Sequence, residues 1–194
     1  DIHQLAFARA AFDFIWCRDV LGHMRDLHLA FQTFARVLKP GGKMLIFSMF
    51  ETDLLTDDEA DSLWPATATV RENVRRPYFD RALTAAGFEI LEVDELHSEW
   101  REHGEEGASG RTSKQLLRIA RLRRNREALI AAYGEETYYS ELANCHWGVY
   151  QMLGKLSPAI SHPCSTFSIR RASPVESLSS RDLAQTGWRR SSLR

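Results

Sequence analysis

The sequence lacks the features that mark secreted, membrane-bound or nucleic-acid-binding proteins. Only three of its 194 residues are cysteine, and their wide spacing offers neither a disulfide framework nor a Cys-x-x-Cys pair. No apolar run approaches the roughly 20 residues of a membrane span, and the first residues lack a secretory-signal pattern. The formal net charge of −1 predicts no general attraction to nucleic acid or membranes. These absences predict a globular cytoplasmic protein.

Metal-binding patterns are also missing. His97, Glu99 and His103 do not have the spacing of a helical His-x-x-x-His pair, and they predict a surface loop. A run of four carboxylates lacks the alternation and glycine of a calcium loop, and it predicts the solvated start of a helix. The run comprises Asp57, Asp58, Glu59 and Asp61. No metal ligand is therefore predicted.

The most informative stretch of the chain is 12–50. Phe12 to Cys17 reads as a strand covered on both faces. A helical period follows from its N-cap Asp26, and the helix is expected to run to Lys39 and stop at Pro-Gly-Gly. Lys43 to Met49 reads as a second buried strand, so the unit should be a right-handed parallel βαβ. Ligands of such sheets bind at the carboxyl ends of strands, here residues 17–19 and 48–50.

The remainder predicts an α/β domain over residues 1–160. Pro77 and Gly87 bracket a helix that precedes a strand at Phe88 to His97. Residues 113–156 read as a helical insertion. Its basic part, 114–126, is better explained as a solvated helix face than as a nucleic-acid-binding surface. Apolar residues after the second strand are candidates for a substrate pocket: Leu54, Leu55, Leu63 and Trp64. Residues 161–194 are rich in serine and arginine with little periodicity, and they predict a disordered tail rather than a closing strand.

Three motifs carry a family resemblance. The runs D-I-H-Q-L-A-F, F-D-F-I-W-C-R-D-V-L-G-H and R-V-L-K-P-G-G-K-M-L-I-F occur in this order and at matching spacing. Together they resemble the second half of a class I S-adenosylmethionine-dependent methyltransferase domain. The resemblance covers residues 1–97, with Ala6 where the family usually has proline and Gly22 where it often has glutamate. It implies a partial Rossmann-like sheet with a helical insertion.

The resemblance also implies site residues and a cofactor. S-adenosyl-L-methionine is the implied cofactor, and a small molecule is the implied methyl acceptor. The sequence does not identify a catalytic base. The resemblance implies that Asp1 and Ile2 contact the adenine of the cofactor and that the backbone near Cys17 and Arg18 contacts its amino-acid part. It implies that Asp19 and His23 face the substrate. An aromatic-rich segment at residues 138–153, which would fit a helix packing over the mouth of the active site, adds Tyr150 as a candidate substrate contact.

The family's glycine-rich cofactor loop has no counterpart, since the chain contains no Gly-x-Gly run. The expected function is therefore methyl transfer in a complete protein of which this chain is an N-terminally truncated fragment. Two alternatives stay open. One is a non-catalytic Rossmann-like interaction module, and the other is a nucleic-acid methyltransferase that uses the basic helix. A fragment is expected to expose the edge of the strand at Phe12 to Cys17 and to self-associate through it.

Overall fold

The fold is known from a computed structural model that describes residues 1–105, 107 and 110–166. Its helices are α1 (Leu27–Val37), α2 (Asp57–Leu63), α3 (Arg76–Ala85), α4 (Glu99–Gly104), α5 (Arg111–Arg124), α6 (Arg126–Tyr133) and α7 (Glu135–Met152). Its strands are β1 (Phe12–Arg18), β2 (Leu38–Glu51), β3 (Phe88–Glu95) and β4 (Leu156–Ser165). Short 3-10 turns lie at Ile2–Gln4, Leu21–His23, Pro65–Thr67 and Arg71–Val74. No helix of the described residues is long and apolar enough to cross a membrane.

The four strands form one mixed sheet in the order β1-β2-β4-β3. β1 pairs with β2 in parallel, which confirms the predicted βαβ unit. β4 runs antiparallel to both of its neighbours, β2 and β3. The last strand of the described residues therefore lies between two strands that precede it in the sequence.

α1 begins where the sequence predicts and ends earlier. The Asp26 side chain accepts a hydrogen bond of 2.8 Å from the amide of Leu29, which confirms the N-cap. The helix ends at Val37 rather than at Lys39, because Leu38 already has extended backbone angles and opens β2. The Pro-Gly-Gly segment is thus the start of the long strand β2, with Gly41 supplying a positive φ of 72°.

The core between α1, α3 and the sheet is aromatic. Phe79 of α3 lies edge-to-face against Phe31 at 5.3 Å and against Phe50 at 5.1 Å between ring centroids. All three rings are buried. Edge-to-face pairs at such distances add to the free energy gained by burying the rings. Gly87 follows α3 with a φ of 86°, as predicted for its cap.

The tail prediction is wrong at its start. Residues 161–165 belong to β4, which lies in the interior of the sheet, and Ser161 is buried. The sequence did not reveal this strand, because Ser161 and Ser165 occupy buried positions where apolar residues would be expected. Hydrogen bonds to both neighbouring strands hold its backbone. The rest of the predicted tail, residues 167–194, lies outside the described residues.

Helices lie where the sequence predicts the helical insertion, and one loop prediction is wrong. α5, α6 and α7 precede β4, as expected for residues 113–156. The acidic run at 57–61 starts α2, where Thr56 and Glu59 form a capping box. Glu99 and His103, however, belong to helix α4 rather than to a surface loop. His97 precedes that helix with a φ of 45°.

The prediction that the first strand is covered on both faces is also wrong. Cys17 and Ile15 of β1 pack into the core, whereas Phe14 and Trp16 on the other face are 54% and 67% exposed. β1 is an edge strand, as expected. The opposite edge, β3, carries four acidic residues in eight, a composition that discourages strand pairing. β1 carries only two charged residues, Asp13 and Arg18.

We expect the chain to self-associate through β1 and Trp16→Lys to shift it toward the monomer, because a charge on this bare face opposes apolar contact. Analytical ultracentrifugation measures the change. Leu153→Lys, at an exposed position outside the sheet, is the matched control and should leave the distribution unaltered. A wild-type chain that sediments as a monomer at high concentration would contradict this prediction.

Candidate functional site

A cavity of about 260 Å³ lies where β1 and β2 end. The backbone amide of Asp19, just past β1, donates to the carbonyl of Phe47 at 3.0 Å, so the two strand ends stay side by side. We call this the strand-end cavity. Its lining residues are Asp19, Gly22, His23, Ser48, Met49, Trp64, Thr67, Thr69, Asn73, Val74, Asn144 and Trp147. The structure thereby confirms that the predicted strand ends meet.

Asp19 marks the point where the chain leaves the sheet. Its φ of 50° is left-handed, a conformation that aspartate tolerates better than most residues. Its side chain reaches solvent at the cavity mouth. Desolvation by the surrounding protein nevertheless raises the pKa of the carboxyl group, and the charges of Arg18 and His23 only partly oppose this. Ionising the Asp19 carboxyl group therefore costs more free energy than in water, and the group lies in the lining of the cavity.

His23 is oriented by a backbone contact. It ends the 3-10 turn Leu21–His23, and its Nδ1 lies 3.0 Å from the carbonyl oxygen of Ala68. A carbonyl oxygen only accepts, so Nδ1 carries the proton in this pair. In the neutral imidazole the lone pair then resides on Nε2. His23 can therefore accept a hydrogen bond from a molecule in the cavity.

Asn73 fixes the loop that carries His23. It is 3% exposed, and its side-chain amide donates to the carbonyl oxygens of Leu21 at 3.1 Å and Met24 at 2.7 Å. The two carbonyls flank His23 in sequence. Sequence reasoning missed Asn73, because its partners lie about fifty residues away and no local motif announces them.

Helix α7 forms the roof of the cavity, as its aromatic content predicts. Asn144 and Trp147 line the cavity from this helix. Behind them, Gln151 is fully buried, accepts a hydrogen bond from Arg101 and donates to the sulfur of Met49 at 3.7 Å. These contacts hold the roof against β2. Trp147 is further packed under the Arg101 guanidinium, 5.6 Å from its ring centroid.

The predicted site residues divide into three groups. Asp19 and His23 line the cavity, while Arg18 beside them stacks its guanidinium over the Phe47 ring at 5.9 Å. Cys17 is buried, and burial together with Asp19 raises the pKa of its thiol to about 12, so its side chain serves packing. Asp1 caps the first 3-10 turn, and Ile2 packs on the core, away from the cavity lining.

Tyr150 points away from the strand-end cavity. It lines a second cavity of about 540 Å³ on the other side of α7. There its ring stacks on His146 with centroids 5.6 Å apart, and the Lys155 ammonium lies 5.4 Å from its centre. Burial raises the pKa of Tyr150 and lowers that of His146. Tyr150 is thus not brought together with Asp19 and His23.

The apolar residues expected to line a pocket are also separated. Only Trp64 reaches the strand-end cavity, whereas Leu63 lines the second one. Leu55 is buried in a core cluster, and Leu54 is 61% exposed. Within the described residues, no group of three or more histidine, cysteine, aspartate or glutamate side chains could hold a metal ion.

Comparisons with known proteins relate part of the chain to methyltransferases. Residues 1–93 match the family model of a methyltransferase domain. An O-methyltransferase from Pyrenophora dematioidea is 30% identical over 96 residues, which are 50% of this chain and 36% of that protein. The predicted resemblance to class I S-adenosylmethionine-dependent methyltransferases is thereby confirmed.

Solved structures confirm the α/β fold class. The [4+2]-cyclase SpnF superposes with a TM-score of 0.59 at 21% identity, covering 85% of this chain and 54% of that one. Phosphoethanolamine N-methyltransferase 2 of Haemonchus contortus, solved with phosphomonomethylethanolamine and S-adenosylhomocysteine, has a TM-score of 0.53 at 17% identity, covering 85% and 35%. The expected cofactor agrees with that complex. The chain spans well under two thirds of each of these relatives.

We expect Asn73→Ala to lower the free energy of unfolding by about 1–3 kcal/mol, because the substitution leaves two backbone carbonyl groups, one of them buried, without their hydrogen-bond donor. Urea unfolding gives the value. The control is Asn125→Ala, an exposed asparagine between α5 and α6 whose side-chain amide donates to the carbonyl oxygen of Arg121, with an expected cost of about 0.5 kcal/mol or less. Equal costs for the two variants would refute the anchoring role of Asn73.

The pKa of Asp19 predicts a pH dependence of stability. Because the folded pKa lies above the unfolded one, the stability from this carboxyl is fully present below the unfolded pKa of about 4 and is lost as pH rises through the folded pKa. Asp19→Asn should therefore stabilise the chain relative to wild type increasingly as pH rises through this window. Thermal melts across pH measure it, with Asp53→Asn reporting the effect of removing an exposed carboxyl elsewhere. A constant difference between Asp19→Asn and wild type at every pH would contradict the assignment.

Proposed function

We propose, on the premise that residues 1–93 match a methyltransferase domain, that the whole protein transfers a methyl group from S-adenosylmethionine to a small-molecule acceptor. The observation that carries the proposal is the strand-end cavity, which lies at the carboxyl ends of β1 and β2 and is roofed by α7. Ligands of open α/β sheets bind at this end of the strands. A volume of about 260 Å³ suits a small acceptor.

We further propose that this chain supplies the acceptor side of the enzyme and that upstream residues supply the cofactor cradle. Three observations support this division. The chain lacks a glycine-rich loop, it spans 36% of its Pyrenophora relative, and one face of β1 is bare. On this proposal, Asp1, Ile2 and the backbone of Cys17 and Arg18 border the cofactor.

The described residues suit methyl transfer by positioning and exclusion of water. S-adenosylmethionine supplies a methyl group already activated on a positively charged sulfur. Nε2 of His23 accepts a hydrogen bond from the acceptor, Asp19 faces it from the strand end, and Trp147 of α7 shields the cavity from solvent. The name of the Pyrenophora relative, an O-methyltransferase, supports an oxygen acceptor.

A non-catalytic module and a nucleic-acid enzyme are the remaining candidates. The [4+2]-cyclase SpnF has a similar fold, and one fold can host different reactions. For nucleic acid, the relevant surface is the basic run 114–126, which lies in α5 and at the start of α6. Arg118 pairs with Glu141 of α7 at 2.6 Å, and Arg126 donates to the hydroxyl of Tyr139 at 2.9 Å. Such intramolecular partners favour the small-molecule proposal.

Calorimetric titration with S-adenosylhomocysteine tests whether upstream residues supply the cofactor cradle. We expect no binding at micromolar concentration by this chain, and binding by a chain extended upstream to include a glycine-rich loop. In the extended chain, Asp1→Asn should weaken binding about tenfold through loss of a charge-assisted hydrogen bond, while its side-chain oxygen still caps His3.

The matched control is Asp13→Asn, at the far end of β1 from the cavity. This carboxylate pairs with Lys39 at 2.8 Å, so its loss should leave the affinity for S-adenosylhomocysteine unchanged. Failure of the extended chain to bind would favour the non-catalytic module. Unchanged binding by Asp1→Asn would remove Asp1 from the cofactor side.

A further inference from the structure

We infer that the strand-end cavity takes an uncharged aromatic molecule of one or two rings that bears a hydroxyl group. The inference rests on the proposed function, because it names the acceptor class of the same site. Three properties of the described lining carry it: the sign of its charge, its indole walls, and a buried hydroxyl with no partner. Each is argued separately below.

The charge of the lining disfavours anions. None of its described residues is lysine or arginine, and its ionisable side chains are Asp19 and His23. The arginines next to lining residues are engaged by other groups: Arg18 covers Phe47, Arg101 donates to Gln151 behind Trp147, and Arg71 pairs with Glu51 beside Trp64. An acceptor that carries a phosphate or carboxylate would meet the Asp19 carboxylate without a cation to balance it. The acceptor therefore differs in charge from the phosphomonomethylethanolamine bound by the Haemonchus contortus enzyme.

Two indoles shape the cavity for a flat apolar body. Trp64 is 2% exposed, and its Nε1 donates to Glu51 at 3.1 Å, so its ring cannot swing aside without losing that bond. Trp147 faces the cavity from α7, and Met49 and Val74 complete the apolar part. Aromatic walls of this kind favour stacked or edge-on rings. The volume, about 260 Å³, lies just below the usual range of about 300–1,000 Å³ for ligand sites, which limits the ligand to one or two rings.

The buried end of the cavity calls for a hydroxyl. Ser48 is 7% exposed, and its Oγ has no hydrogen-bond partner among the described residues. Buried polar groups are nearly always paired, so an orphan that lines a cavity indicates a ligand or a water there. Thr67 and Thr69, by contrast, bond one another at 3.0 Å. A ligand hydroxyl can accept from Ser48 and donate to Nε2 of His23, which satisfies both groups.

Equilibrium dialysis of the chain against three matched naphthalenes tests the inference without any cofactor. The probes are 2-naphthol, 2-methoxynaphthalene, which cannot donate a hydrogen bond, and 2-naphthoate, which is anionic. We expect 2-naphthol to bind about fivefold tighter than the methyl ether and at least about tenfold tighter than the carboxylate. Equal affinities for the three probes, or tighter binding of 2-naphthoate, would overturn the acceptor class.

Two variants separate the contributions. Ser48→Ala should lower the affinities for 2-naphthol and for the methyl ether alike, because the oxygen of either probe can accept from Ser48 Oγ. The variant removes an unsatisfied hydroxyl, so the fold is retained. Ser157→Ala is its control, because Ser157 Oγ is also buried and unpartnered but lies outside the cavity lining. Asp19→Asn should narrow the gap between 2-naphthol and 2-naphthoate, whereas Asp53→Asn should not. An unaltered affinity for 2-naphthol in Ser48→Ala would refute the role of Ser48, and unaltered probe preferences in Asp19→Asn would refute that of Asp19.

The result of the naphthalene experiment can be distinguished from that of the cofactor titration that tests the proposed function. Preferential binding of 2-naphthol with no S-adenosylhomocysteine binding by the extended chain would keep the ligand class and refute methyl transfer. Cofactor binding without a preference for 2-naphthol would keep methyl transfer and overturn the uncharged aromatic acceptor.

Discussion

The hydrogen-bonded pairing of β2 with two neighbours is the constraint on which the rest of the structure depends. β2 is paired in parallel with β1 on one side and antiparallel with β4 on the other. Met44 and Ile46 of β2 belong to the core, and Ser48 and Met49, further along the strand, line the strand-end cavity. Because side chains alternate along a strand, a register shift of one residue would move the core residues out of the core and Ser48 out of its place. Core packing and site geometry are thus set by the same ladder.

The strand-end cavity is assembled from three distant parts of the chain. The strand ends contribute Asp19 and Ser48, the loop anchored by Asn73 contributes His23, and α7 contributes Trp147. Each part is held by contacts outside the cavity, so the lining is positioned before a ligand arrives. Such preorganisation lowers the entropy lost on binding.

Charge distribution separates the two faces of the insertion. Arginines of α5 and α6 face α7, where they pair with Glu141 and the hydroxyl of Tyr139. The opposite side of α7 presents Asn144 and Trp147, both uncharged, to the strand-end cavity. The basic run that stands out in the sequence therefore supports helix packing and surface solvation. The chemistry of the cavity comes instead from Asp19, His23 and Ser48, which lie outside that basic run.

The sequence alone determined the features that depend on neighbours along the chain. The N-cap Asp26, the capping box at Thr56, the βαβ unit and the meeting of the strand ends all follow from local periodicity and turn chemistry. The tertiary structure alone decided where β4 lies, that Asn73 holds the His23 loop, and that Tyr150 faces away from Asp19. These features depend on hydrogen bonds and packing between residues fifty to a hundred positions apart. No local pattern encodes such contacts, because folding selects them by burial and pairing of the chain as a whole.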